Sequence, residues 1–138
     1  EFRRVLFRSA NVEFNTLSLT ISDLKMIPEL SMEYLALISV VMVFFVGLGE
    51  EVVFRYILQT RLKASVGVGM ALVLTSLTFA FMHSGYTSLI YMAYVFGISL
   101  VLGLIFEKTN SLACVTLIHG TLNVILFSFL PFGHLLIL

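Results

Sequence analysis

Formal charge is scarce in this chain. Asp, Glu, Lys and Arg make up only 12% of its 138 residues, while 59% are hydrophobic. An ordinary soluble domain carries about 25% charged residues. A compact domain of this length leaves roughly a third of its unfolded surface exposed, and the sequence lacks the polar residues to cover it. Lipid is therefore the expected solvent, and a mean hydropathy of +1.07 agrees. Eight basic and eight acidic side chains cancel, which argues against a nucleic-acid footprint or a strongly charged tail. With a single cysteine, Cys114, an intrachain disulfide is excluded and a packing role is expected. A signal peptide is not expected either, because residues 1–9 hold Arg3, Arg4 and Arg8 without an apolar stretch or a small-residue cleavage site. That segment, which lacks an initiator Met, reads as a non-native scar on a fragment of a larger helical bundle. The chain has no internal repeat, linker or low-complexity tract.

What is present is a series of apolar runs. Residues 10–27 mix Ser, Thr and Asn with apolar side chains and read as an interfacial or irregular segment, leaving 28–138 as one domain. Pro28 and Glu29 suit a first helical turn, and Tyr34 to Gly49 gives sixteen residues without formal charge. The helical pattern continues to about Leu62. Such a helix of roughly 34 residues spans about 50 Å, more than a ~30 Å hydrocarbon core, so it must tilt or protrude. Arg61 and Lys63 mark the expected turn. Further runs cover Val66 to Met82, Leu89 to Phe106, and Ser111 to Leu130, where Pro131 and Gly133 stop the last helix. Gly97 and Gly103 are available for close helix contact. The expected fold is all-α, a polytopic transmembrane bundle with four antiparallel spans joined by short turns. Basic residues in the turns after the first and third spans place those turns in the cytoplasm, although Lys25 and the N-terminal arginines count the other way.

Against this apolar background several polar residues are out of place. Glu50, Glu51 and Arg55 lie well inside the first helix, His83 ends the second, and His119 and Asn123 lie inside the fourth. A central charge in a spanning helix costs about 2.5 kcal/mol or more, which makes such a cluster a functional hypothesis. Measured from the Arg61 side, rise per residue puts Glu50 about 18 Å deep, His83 about 25 Å, His119 about 10 Å and Asn123 about 16 Å. Antiparallel helices can therefore bring them to one cavity. Glu51 and Arg55 can form an i,i+4 ion pair, and His119 and Asn123 share a face. Glu50 is rotated about 100° from Glu51, which suggests a division of labour. Glu51 is held ionised by Arg55, while Glu50 faces the cavity as a general base and shares a water with His83. His119 and Asn123 then stabilise the oxyanion when that water attacks a carbonyl.

These residues stand as Glu50-Glu51-x-x-x-Arg55, Phe79-x-x-x-His83 and His119-x-x-x-Asn123. In that order, each on an expected membrane helix, they resemble the motifs of the CAAX prenyl endopeptidase and Abi family, also called CPBP intramembrane proteases. The match covers roughly residues 44 to 130, and Gly103 to Ser111 is similar to the family's approach to its last motif. The resemblance implies peptide-bond hydrolysis within the membrane, on prenylated CAAX proteins in eukaryotes and on peptides or membrane proteins in prokaryotes. A multi-pass protein of a bacterial cytoplasmic membrane is the expected setting. Members were first described as zinc-type metalloproteases, whereas the favoured reading needs no cofactor. Family members usually have more than four spans, which again points to a fragment.

Other readings of the same residues stay open. Glu50, His83 and His119 could supply three ligands to a catalytic zinc, although no His-Glu-x-x-His occurs. A buried acid, base and arginine could form a proton relay in a small transporter. The bundle could also be a non-catalytic membrane partner, such as a bacteriocin-immunity protein, with His119 and Asn123 merely hydrogen-bonding helices together. Phe79 is expected to pack beneath His83, and His134 to be interfacial.

Overall fold

A computed structural model describes Glu29 and residues 31–83 and 89–129. The expected scar over 1–9, the segment 10–27, Pro28, the 84–88 connection and the Pro131, Gly133 and His134 end lie outside the described residues. What is described is helical throughout, in four elements.

Helix α1, Met32–Val66, is capped by Ser31, which has an extended backbone and whose hydroxyl accepts the Tyr34 amide at 3.3 Å. Glu33 in its first turn complements the positive helix end. The helix then widens into π geometry twice, over Val41–Gly47 and Val52–Gln59, on either side of one tight turn, Leu48–Glu51. Such π segments often mark functional sites, and here they flank the acidic pair. The carbonyl of Arg55 accepts a hydrogen bond from the Thr60 hydroxyl at 3.1 Å.

The first turn is not where the basic residues suggested. Arg61 and Lys63 stay helical, and α1 ends at Gly67, whose φ of 77° is readily adopted only by glycine. Lys63 occupies the last helical turn, where a cation suits the negative helix end. From Gly67 the chain doubles back directly into α2, Val68–Met82, and Phe54 meets Phe79 edge-on at 4.9 Å. Helix α3, Leu89–Thr109, runs further than its uncharged stretch, through Glu107 and Lys108, and stops at Asn110 with a φ of 48°. Ser111 caps α4, accepting the Cys114 amide at 3.2 Å. This helix covers Leu112–Val124 and continues in a π turn, Ile125–Phe129.

α2 packs along α3, and α4 packs against the first π segment of α1. Glycines set the closest crossing. A Cβ on Gly120 would lie 2.6 Å from the Val43 Cα, and one on Gly47 would lie 3.2 Å from the Gly120 amide nitrogen. Gly103 likewise faces Leu72 and Gln59, but a Cβ on Gly97 would meet nothing within 4 Å, so of the two expected α3 glycines only Gly103 makes a close contact. Small apolar clusters fill the remaining interfaces: Ile38, Met42 and Phe127; Phe54, Phe79, Ala80 and Val95; Leu102, Phe106 and Val115.

Met32–Val66 and Leu89–Thr109 are long and apolar enough to cross a membrane, while Val68–Met82 and Leu112–Ser128 are shorter apolar helices. Only 28% of each long apolar stretch is buried, unlike the core helix of a soluble protein. Phe44, Phe45, Phe81 and Leu117, all more than half exposed, are among many large side chains that water would not tolerate in such number.

Candidate active site

The tight turn between the π segments of α1 presents two neighbouring carboxylates in different directions. Glu51 is wholly buried and forms an ion pair with Arg55 one turn on, Oε2 to Nε at 3.0 Å, both side chains being 0% exposed. Arg55 also donates from Nη2 to the Ser99 carbonyl of α3 at 3.3 Å and lies 5.1 Å from the centre of the Phe79 ring. Burying a guanidinium and a carboxylate is costly, and pairing plus further hydrogen bonding is the condition on which it is tolerated. Glu50, by contrast, keeps 29% of its side chain exposed.

His119 joins the two acids. The Gly47–Gly120 crossing draws α4 against α1, and His119, one residue before Gly120, reaches Glu51 Oε1 through Nδ1 at 2.7 Å. Its other nitrogen, Nε2, faces Glu50 Oε2 at 3.5 Å. The roughly 100° between adjacent helical residues is thus spanned by one imidazole. A carboxylate paired with arginine can only accept, so His119 Nδ1 carries a hydrogen.

His83 sits at the C-terminal end of α2 and approaches Glu50 from the other side, Nε2 to Oε1 at 4.0 Å. Its Nδ1 is 2.9 Å from the Phe79 carbonyl, which can only accept. The hydrogen is therefore on Nδ1, and a neutral His83 presents a lone pair at Nε2 towards Glu50. Asn123, one turn beyond His119, lines the same cavity, and its side chain makes no hydrogen bond to any described residue.

All four of Glu50, His83, His119 and Asn123 line a single cavity of about 220 Å³. Its apolar wall includes Val95 and Ile98 of α3 and Leu122, Leu126 and Phe127 of α4, with Tyr91 and Tyr94 also contributing. The expected site residues are therefore brought together. Glu51 and Arg55 stand behind the cavity rather than in it. Glu50, His83 and His119 converge, yet among the described residues no three His, Cys, Asp or Glu side chains have the arrangement that holds a metal ion.

Phe79 does more than pack beneath His83. Its ring lies 4.6 Å from the His83 ring and 5.8 Å from that of His119, while also touching Phe54 and Arg55. Sequence reasoning also passed over Gln59, Ser99 and Glu107. The available signal was their spacing, since Glu51, Arg55, Gln59 and Lys63 recur every four residues on α1, as do Ser99, Gly103 and Glu107 on α3.

No curated protein and no solved structure matches the chain. One family model does, described as type II CAAX prenyl endopeptidase Rce1-like, over residues 32–125, which include Glu50, Glu51, Arg55, His83, His119 and Asn123. With more than half of its length matched and the three motifs converging on one cavity, the chain belongs to the Rce1-like family of type II CAAX prenyl endopeptidases and is a membrane peptidase.

Proposed function

We propose that the protein is an intramembrane endopeptidase that cleaves a peptide or membrane-protein substrate with a water activated by Glu50 and His83. The observation that carries this reading is the convergence of Glu50, His83, His119 and Asn123 on one largely apolar cavity. The 4.0 Å gap between Glu50 Oε1 and His83 Nε2 is too long for a direct hydrogen bond and suits one bridging water. Both groups present acceptors, so that water directs its hydrogens to them and a lone pair to the substrate.

Glu50 takes a proton as the water oxygen attacks the scissile carbonyl. The carbonyl oxygen, now an oxyanion, accepts hydrogen bonds from the Asn123 amide and from His119 Nε2. For that role His119 donates from both ring nitrogens, from Nδ1 to Glu51 and from Nε2 to the oxyanion. Glu50 then returns its proton to the leaving amine. Glu51 and Arg55 hold the His119 ring and take no direct part. The apolar wall favours a substrate segment with apolar side chains next to the cleaved bond, and the family's name makes prenylated CAAX proteins one candidate class. All four helices crossing a bacterial cytoplasmic membrane, with Gly67 and Asn110 on its inner side, is the arrangement this reading adopts.

Glu50→Gln tests it, because the change preserves shape and removes the base. The variant is expected to lose cleavage of a helical membrane peptide while remaining folded, and wild-type-like processing would rule the mechanism out. Hydrolysis without a metal is part of the same proposal. Full activity in the presence of strong chelators, with no stoichiometric metal in the purified protein, is expected; loss with recovery on adding zinc would favour a Glu50, His83 and His119 metal centre. If a partner-binding or immunity phenotype survived Glu50→Gln unchanged, the protein would be acting as a non-catalytic partner.

A further inference from the structure

The polar stripe of α1 runs on past the site. Glu51, Arg55 and Gln59 are buried to 1% exposure or less, and Lys63 follows at the exposed end. α3 presents Ser99, Gly103 and Glu107 at the same four-residue interval, and the two series meet rung by rung. After the Arg55 to Ser99 bond, Gln59 Nε2 donates to the Gly103 carbonyl and to Glu107 Oε1, both at 3.1 Å. Lys63 Nζ then pairs with Glu107 Oε2 at 2.8 Å. Gly103 is what admits the amide, since a Cβ there would stand 2.8 Å from Gln59 Oε1 and 2.7 Å from Leu72 Cδ2.

Stability alone is a poor reason for an amide at this place. Leucine would fill a similar volume without the cost of burying polar atoms, and interhelical hydrogen bonds in membranes are individually weak. Fixing register is the best-attested use of a buried polar group. Register is what the neighbouring rung requires, because the acceptor for Arg55 is a backbone carbonyl and moves only with α3 as a whole.

We propose that Gln59 is a positioning residue for the hydrolytic centre, an inference that rests on the function proposed above. Clamped between Gly103 and Glu107, it fixes α3 along α1 so that the Ser99 carbonyl stays beside Arg55. Arg55 then stays on Glu51, and Glu51 holds His119 Nδ1. The contacts that carry the effect, at 3.3, 3.0 and 2.7 Å, run from the Ser99 carbonyl, one helical turn before Gly103 on α3, to His119. The outer rung contributes less, because the Lys63 side chain is 44% exposed and water competes for it.

The test uses the full chain in lipid nanodiscs with 15N-labelled histidine. The His119 Nδ1 resonance reports its hydrogen bond to Glu51 and is assigned by its loss in His119→Gln. Gln59→Met removes both hydrogen bonds at nearly constant volume. The His119 resonance is expected to move, and kcat for a membrane peptide to fall about tenfold with KM within about twofold, as for an interaction expressed in the transition state. An unmoved resonance in folded Gln59→Met overturns the proposal, and so does an unchanged kcat. If Gln59→Met does not fold, Glu107→Gln and Glu107→Val decide. The first keeps an acceptor for the Gln59 amide and the second does not, so only Glu107→Val should shift His119, and equal responses from the two overturn the proposal. The resonance is read without substrate, so a failed positioning role is distinguishable from a failed hydrolytic reading, which would appear as a wild-type chain that cleaves no peptide.

Discussion

Two sides of one imidazole divide the site. On the Nδ1 side of His119, Glu51 and Arg55 are sealed from solvent and held by contacts of 2.7 and 3.0 Å. On the Nε2 side, Glu50 is partly open, and its nearest ring nitrogens stand 3.5 and 4.0 Å away. The first region is closed, with both side chains of its ion pair fully buried and neither of them lining the cavity. The second is loosely held, faces a cavity and has space for a water. Groups that do chemistry have to change partners during the reaction, whereas groups that hold them must not. Adjacent residues on one helix can serve both ends because a single helical step turns them apart.

Mutations at the two sides should therefore fail differently. Glu50→Gln is expected to have the largest effect on activity, about 10³-fold, the middle of the range for a general base, with little change in thermal midpoint. Glu51→Gln leaves the buried Arg55 charge without its counter-ion, which costs about 3–5 kcal/mol for a broken buried pair. Its signature is a large drop in thermal midpoint in detergent, with activity lost as a consequence. Asn123→Ala removes one donor from the open side and should lower kcat about 10²-fold without altering the midpoint, because the Asn123 side chain has no described hydrogen-bond partner to lose. The smallest effect is expected at the helix crossing. Gly120→Ala forces a methyl against the Val43 backbone, an overpacking worth about 1–3 kcal/mol, and should loosen His119 from Glu51. Gly97→Ala, with open space around it, is the matched control and should be neutral.

Much of the site was legible in the sequence because charge inside an apolar run is conspicuous. Glu50, Glu51, Arg55, His83, His119 and Asn123 all stood out as polar residues in apolar runs, and rise per residue was enough to show that Glu50, His83, His119 and Asn123 fall within one bilayer thickness. The i,i+4 pairing of Glu51 with Arg55 is local to one helix and also followed directly. What did not follow depends on contacts between helices. Whether His119 sits between two carboxylates, or Gln59 under Gly103, is set by the register of separate helices, which spacing along either one leaves free. The first turn was misplaced for a different reason. Arg61 and Lys63 read as a water-facing break, yet a helix can carry cations in its last turns, and the residue that ends α1 is Gly67 with its left-handed backbone. The four apolar runs correspond to four helices, but only α1 and α3 reach the length and apolarity of a membrane span by themselves.

The most direct test of the divided site is to measure peptide cleavage and thermal midpoint together for Glu50→Gln and Glu51→Gln in the same detergent. The account predicts that Glu50→Gln melts like the wild type and does not cleave, while Glu51→Gln melts well below it. Cleavage by Glu50→Gln at the wild-type rate, or equal loss of stability in both variants, would contradict it.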